Sequence, residues 1–130
     1  MANKPRTYIS FDFDNDQWAR DLFVSQAKNP DTPFFITDYS QKYEFTEKWK
    51  TQCRERIKQT SLVIQLVGAN TWKAAGADWE VKAAKEEKIP VFGVYIDKNN
   101  HGKIPSNLQG SPVIDWTWDG IAAMIKKLTS

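Results

Sequence analysis

The sequence contains very few residues that could build disulfides or metal sites. Its 130 residues include one cysteine, Cys53, and one histidine, His101. A single thiol cannot form an internal disulfide, which fits a reducing compartment, and one thiol with one imidazole leaves little material for a zinc site. We expect no disulfide and no metal centre, with Cys53 as inert core packing and His101 in a surface loop.

Long apolar runs and an excess of one charge are also missing. No stretch approaches the roughly 20 apolar residues that cross a bilayer, and the first residues lack the apolar segment of a secretion signal. The net charge is +2, and the 18 basic residues are interspersed with 16 acidic ones, unlike a surface that neutralises nucleic-acid phosphates. The sequence therefore predicts a cytoplasmic protein that binds neither membranes nor nucleic acids.

What the chain has is the composition of an ordinary globular protein, with 41% hydrophobic and 26% charged residues. Its length suits one domain spanning 1–130. Strand and helix signals alternate without repeats or linkers, a pattern typical of βαβ units with a parallel sheet. Strands are predicted at 7–12, 34–37, 61–67, 91–96 and 112–115. Helices are predicted from a cap at Asp14 or Asn15 to about Lys28, from a cap at Thr46 or an immediate neighbour to about Lys58, from Ala77 or Asp78 to Lys88, and from about Trp118 to Leu128.

The most apolar strand, 61–67, is expected at the centre of the sheet. Five strands with right-handed crossovers predict a flavodoxin-like three-layer α/β sandwich with strand order 2-1-3-4-5. In such a sheet a crevice opens at the carboxyl ends of strands 1 and 3, and ligands bind there. Strand 1 brings Ser10, Phe11 and Asp12 to this crevice, and strand 3 brings the loop 68–72 and the helix that carries Glu80.

Several familiar uses of this crevice do not fit the residues. A phosphate-accepting receiver domain needs an aspartate at the end of strand 3, but that strand ends in Leu66, Val67 and Gly68. The loop 12–16 is acidic and would repel the phosphate of a flavin nucleotide. No GxGxxG, GxxxxGK[ST] or GxSxG motif occurs, which disfavours dinucleotide-dependent redox enzymes, nucleotide hydrolases and serine hydrolases.

Helical periodicity assigns a buried face to each helix. Trp18, Leu22 and Phe23 are expected to form the apolar stripe of the first helix. In the third helix we expect Ala77, Val81 and Ala84 to be buried, Asp78 to cap the helix, and Glu80 to lie at the border of the buried face and lean into the crevice. From these patterns alone Glu80 is either a catalytic carboxylate or an acid favoured by the helix dipole. Phe11 is either core packing or a pocket wall, and Asp12, Asp14 and Asp16 are turn residues or ligand contacts.

Four segments in order, 8–11, 61–72, 78–84 and 88–94, resemble a Toll/interleukin-1 receptor (TIR) domain. The sequence is most similar to the short bacterial TIR-like family that includes the signalling subunit of Thoeris antiphage defence. The resemblance implies an enzyme that cleaves NAD as its substrate, without a cofactor, and makes a cyclic ADP-ribose-type messenger for a separate effector protein. It also implies self-association.

The resemblance implies specific roles for site residues. Glu80 matches the catalytic glutamate of TIR domains that cleave NAD, and Phe11 matches an aromatic wall for the nicotinamide or ribose. Ser10 would hydrogen-bond nearby. Asp12, Trp49 and Trp72 are further candidates for substrate binding.

One position departs from the family pattern, because Gly76 stands where catalytic members often have a tryptophan. Either Trp72 or Trp79 supplies the missing ring, or the pocket has another shape. The alternative function is a non-catalytic TIR-like module that self-associates. The loop 38–45, with Tyr39, Tyr43 and Phe45, would suit contact with a neighbouring molecule.

Overall fold

A computed structural model describes residues 4–41 and 45–129 of the chain. Within them, the strands are β1 (Arg6–Ser10), β2 (Phe35–Tyr39), β3 (Leu62–Val67), β4 (Val91–Tyr95) and β5 (Val113–Asp115). The α-helices are α1 (Gln17–Ala27), α2 (Glu47–Lys58), α3 (Ala75–Glu86) and α4 (Trp118–Thr129). Short 3-10 helices lie at Thr71–Lys73 and Ser106–Leu108. No helix in these two ranges is both long and apolar enough to cross a bilayer.

The five strands form one parallel sheet in the order β2-β1-β3-β4-β5, which confirms the predicted topology. Strand β3 lies at the centre, and all six of its residues are buried. In the register, Ile64 lies beside Ile9 of β1 and Phe92 of β4. A continuous apolar strand is stable here because helices cover both faces of the sheet.

Side chains alternate between the two faces of each strand, and this alternation decides which residues reach the site. On β1, Ile9 and the following Phe11 face the core that contains residues of α1 and α4. Tyr8 faces the core that contains Cys53 of α2 and Val81 of α3. Ser10 points to the same side as Tyr8, since its hydroxyl group lies within hydrogen-bonding distance of α3. Tyr8 and Ser10 therefore face α3.

The first helix differs from its predicted form at two points. It begins after Asp16, not after Asp14 or Asn15. Trp18 and Leu22, which were expected in the buried stripe, are 55% and 45% exposed. The residues that α1 buries are Ala19 and Phe23, one turn apart, so the helix is rotated by about one residue relative to the predicted stripe. The stripe prediction was correct only for Phe23.

The third helix begins earlier than predicted. Ala74 occupies the N-cap position, and Asp78, expected to be the cap, lies within the first turn. The Asp78 carboxylate instead accepts hydrogen bonds of 2.8 Å from the backbone N–H and the side-chain amide of Asn107. This contact joins α3 to the short helix Ser106–Leu108. The predicted cap of α2 is confirmed, because the Thr46 hydroxyl group accepts a hydrogen bond from the backbone N–H of Trp49.

Candidate active site

A cleft of about 410 Å³ lies at the carboxyl ends of β1 and β3, where the sequence predicts the crevice. One wall is formed by residues 11–15, which follow β1. The other wall is formed by Asn70 and by residues 73–75 and 77, at the start of α3. The two walls are distant in sequence, and the topology of the sheet brings them together.

Glu80 lies one turn after Ala77 on α3 and does not itself line the cleft. Its side chain is 1% exposed, so the expectation that it lies at the border of the buried face and leans into the crevice was wrong. The carboxylate accepts hydrogen bonds from the hydroxyl groups of Ser10 at 2.8 Å and Ser40 at 2.6 Å, and from the hydroxyl group of Tyr8. We call Tyr8, Ser10 and Ser40 the hydroxyl cage. The carboxylate is turned inward because these polar side chains face α3.

Burial raises the pKa of Glu80 from 4.5 to about 7, and hydrogen bonds from Ser40, Tyr8 and Ser10 limit the rise. The carboxylate therefore loses its water but keeps three hydroxyl donors that favour its charged form. Near neutral pH, the protonated and ionised forms are both populated. A carboxyl group in this state can stabilise a nearby positive charge and can also accept a proton.

Cys53 also borders Glu80, with its sulfur 3.7 Å from the carboxylate. Burial and the nearby charge of Glu80 raise the pKa of the Cys53 thiol to about 12. The thiol is therefore protonated at neutral pH and is a poor nucleophile. This agrees with the expectation that Cys53 is inert packing.

Sequence reasoning missed Ser40 and Tyr8 as partners of Glu80. Ser40 follows β2, whose carboxyl end lies beside that of β1, and its oxygen also accepts a hydrogen bond of 3.1 Å from the backbone N–H of Phe11. Neighbouring parallel strands end at the same edge of the sheet, so a polar residue just after β2 could have been placed at the crevice from the predicted strand order. For Tyr8, the signal was its two-residue spacing from Ser10 on one strand.

We expect Ser40→Ala to destabilise the fold by about 1–3 kcal/mol, because it leaves the buried N–H of Phe11 without its acceptor and takes one donor from Glu80. The loss of a donor that favours the ionised carboxylate should also raise the pKa of Glu80 further. Urea unfolding at several pH values measures both effects. Ser111→Ala, a partly exposed serine outside the cage, is the matched control. An unchanged stability in Ser40→Ala would contradict the described role of its hydroxyl group.

Phe11 combines the two roles that the sequence left open. Its side chain is 1% exposed and belongs to the core, yet it also lines the cleft. Its ring stacks on Phe13 with centroids 5.9 Å apart, and the Arg20 guanidinium lies 5.4 Å from its centroid. Asp12 likewise lines the cleft while it accepts hydrogen bonds from the Asp14 N–H and the Asn15 amide.

Three predicted substrate-binding residues, Ser10, Trp49 and Trp72, do not line the described cleft, and Ser10 instead hydrogen-bonds to Glu80. Trp49 packs against Trp79, with ring centroids 5.4 Å apart, between α2 and α3. Trp72 is 38% exposed on the short helix after β3. Neither Trp72 nor Trp79 therefore places a ring in the cleft to replace the tryptophan that is absent at Gly76.

The remaining acidic and aromatic candidates have local partners. Burial and the charge of Asp12 raise the pKa of Asp16 to about 6. Within the described ranges, no group of three or more histidine, cysteine or acidic side chains is arranged to hold a metal ion.

In the loop after β2, the Tyr39 ring lies under the Arg20 guanidinium, whereas Phe45 is 45% exposed. Tyr43 lies outside the described residues.

Comparison with known proteins identifies the family. A family model described as "Thoeris protein ThsB, TIR-like domain" matches residues 8–101. No curated protein matches the chain. Among solved structures, a chain described as "Crystal Structure of a prokaryotic SEFIR domain" is similar, with 15% identity and a TM-score of 0.49 over 96% of this chain and 90% of that chain. Because the family model covers most of the sequence, this chain belongs to the TIR-like domain family of the Thoeris protein ThsB.

Proposed function

We propose that this domain cleaves the bond between nicotinamide and ribose in NAD, with Glu80 as the catalytic carboxylate. The observation that carries the proposal is the state of Glu80: a buried carboxyl group with three hydroxyl donors and a pKa near 7, one helical turn from Ala77, which lines the cleft at the ends of β1 and β3. Membership of a TIR-like family supports the choice of NAD as the substrate.

The chemistry requires a negative charge beside the ribose. When the bond between C1′ and the nicotinamide nitrogen breaks, the electron pair leaves with nicotinamide, which departs as a neutral molecule. Positive oxocarbenium character then develops on the ribose, and a carboxylate from which water is excluded stabilises this charge. If water attacks C1′, a proton must be removed, and a carboxylate with a pKa near 7 can accept it.

Substrate must reach a carboxylate that the hydroxyl cage encloses. Ser10 and Ser40 each donate one hydroxyl hydrogen bond to the same Glu80 oxygen, Oε1. The two free hydroxyl groups of the nicotinamide ribose are donors of the same kind. We infer that they replace the serine hydroxyl groups in the bound state, so that the carboxylate exchanges one set of donors for another as the sugar enters.

The proposal extends to the product of the reaction and to the protein partners of this domain. A cyclic ADP-ribose-type messenger forms if an adenine nitrogen, rather than water, attacks C1′, which requires a pocket that excludes water. Such a messenger would act on a separate effector protein in antiphage defence, and the protein would work as a self-associated assembly in the cytoplasm. Membership of the family supports these parts of the proposal.

A non-catalytic interaction module is the second candidate, and the complete enclosure of Glu80 favours it. A protonated Glu80 inside the hydroxyl cage would act as a structural polar group. The exposed side chains of Trp18 and Leu22, at i and i+4 on α1, would then be contact surface for a neighbouring molecule.

Incubation of the purified protein with NAD separates the two candidates. We expect release of nicotinamide together with ADP-ribose or a cyclic isomer, measured by liquid chromatography and mass spectrometry with and without candidate activators. Analytical ultracentrifugation of the same samples measures self-association. An assembled protein that leaves NAD intact under all these conditions would support the interaction module and contradict the enzyme.

A further inference from the structure

Two lysine side chains approach the ring of Trp72, an exposed tryptophan next to the cleft residue Lys73. The Lys73 ammonium lies 5.1 Å from the ring centroid of Trp72, and the Lys103 ammonium lies 4.5 Å from it. Both ammonium groups are therefore within about 10 Å of each other. Lys73 also lines the cleft itself, on the wall opposite Asp12 and Asp14.

The position of Lys103 is fixed by the backbone before it. Gly102 has a φ of +69°, and a Cβ at this residue would lie 2.8 Å from both the Cα of Ala69 and the carbonyl oxygen of Gly68. The 101–103 segment therefore lies tightly against the loop that follows β3. His101 adds a second anchor, since its ring stacks on that of Tyr95 at 3.7 Å.

Neither ammonium group has a counter-ion within the described part of the chain. No carboxylate there lies within 4.0 Å of Lys73 or Lys103, whereas Arg54 pairs with both Glu86 and Glu87. Two adjacent unpaired cations repel each other, and a bound anion relieves this repulsion. Lysine ammonium groups bind phosphate oxygens as point charges.

The cleft therefore has a negative wall and a positive one. Asp12 and Asp14 lie on the wall beside Phe11, and Lys73 lies on the other wall. Lys103 does not line the cleft but approaches the ring of Trp72, the residue before Lys73. NAD carries its charges in a matching order, with a cationic nicotinamide ring at one end and a dianionic diphosphate in the middle. This complementarity would direct the cationic nicotinamide ring toward the acidic wall and the diphosphate toward Lys73.

We propose that Lys73 and Lys103 form a diphosphate-binding site that orients the dinucleotide in the cleft, an inference that rests on the proposed function for the identity of the substrate. Because this site would bind an anion, it can be tested by a binding measurement that does not depend on catalysis. Both side chains are exposed, so their replacement should leave the fold unchanged.

The test uses inorganic pyrophosphate as the probe, with binding measured by calorimetry. The double variant Lys73→Gln/Lys103→Gln is compared with the wild type and with Lys126→Gln, which removes one exposed lysine from α4. We expect the wild type and Lys126→Gln to bind pyrophosphate equally, and the double variant to bind roughly five- to tenfold more weakly. Undetectable binding by the wild type, or equal binding by the double variant, would overturn the site.

Turnover of NAD gives an independent readout. We expect the double variant to raise KM by a similar factor while kcat changes by less than about twofold, and to weaken the dependence of KM on salt. Turnover with an unchanged KM would overturn the lysine site and leave the reaction standing. Lysine-dependent binding of pyrophosphate without any cleavage of NAD would leave the anion site standing and overturn the proposed reaction.

Discussion

Replacement of Glu80 by glutamine is expected to lower the rate of nicotinamide release from NAD by roughly 100- to 1000-fold, the usual effect of removing one preorganised electrostatic group. Glutamine has nearly the shape of glutamate, and its carbonyl oxygen can still accept the hydrogen bonds that Ser10 and Ser40 donate to Oε1. Its NH2 group would donate to the Tyr8 oxygen, which donates to the carboxylate in the wild type. Glutamine has no negative charge to stabilise the oxocarbenium ion. The loss should therefore appear in kcat, with a small effect on KM. Nicotinamide release is measured by mass spectrometry.

The matched control for this variant is Glu86→Gln, on the same helix. Glu86 is exposed and pairs with Arg54 at 2.8 Å, so its replacement removes the same charge from α3 without touching the cage. We expect it to retain wild-type activity. Circular dichroism should confirm that both variants fold. A folded Glu80→Gln variant with wild-type activity would contradict the assignment of Glu80 as the catalytic carboxylate.

The second large effect is a decrease in stability as the pH rises. The pKa of Glu80 is 4.5 in the unfolded reference state and about 7 in the fold, where burial disfavours its charge. Between these values the folded protein keeps a proton that the unfolded chain releases, so stability falls with rising pH. The contribution is fully present below pH 4.5, and on the order of 3 kcal/mol is lost by the time the pH has passed 7.

Urea unfolding at pH 4.5, 6 and 7.5 measures this loss. Glu80→Gln has no titratable group at the site, so the free energy of unfolding of the wild type relative to this variant should fall across the range. Asp16 also has a raised pKa, of about 6, and contributes in the same direction. Asp16→Asn in both backgrounds removes that contribution. A difference between wild type and Glu80→Gln that stays constant with pH would show that Glu80 titrates normally.

The sheet could be predicted because its signals are local or follow from general rules of chain topology. Residues 61–67 form a nearly unbroken apolar run, and only a strand covered on both faces buries such a run. The handedness of the crossovers then leaves few possible strand orders. Helix ends were less predictable. Asp78 looks like a cap in the sequence, yet its carboxylate accepts hydrogen bonds from Asn107, which is distant along the chain.

The crevice was predicted from topology, but the depth of Glu80 in it was not. Helical spacing predicts the direction of a side chain around the helix only to within about one residue position. A shift of one position is enough to move a side chain from the rim of the crevice into the interior. The hydroxyl partners of Glu80 come from β1 and from the residue after β2. Ser40 reaches the site only because β2 lies beside β1 in the sheet. Long-range contacts of this kind carry no local signal in the sequence.

The structure of the Glu80→Gln variant with NAD bound would test the central claim most directly. We expect NAD to occupy the cleft at the ends of β1 and β3, with C1′ of the nicotinamide ribose about 3.5 Å from the side chain at position 80. We also expect the ribose hydroxyl groups to take the places of the Ser10 and Ser40 hydroxyl groups. NAD bound elsewhere, or bound with the hydroxyl cage still closed around position 80, would contradict a catalytic role for Glu80.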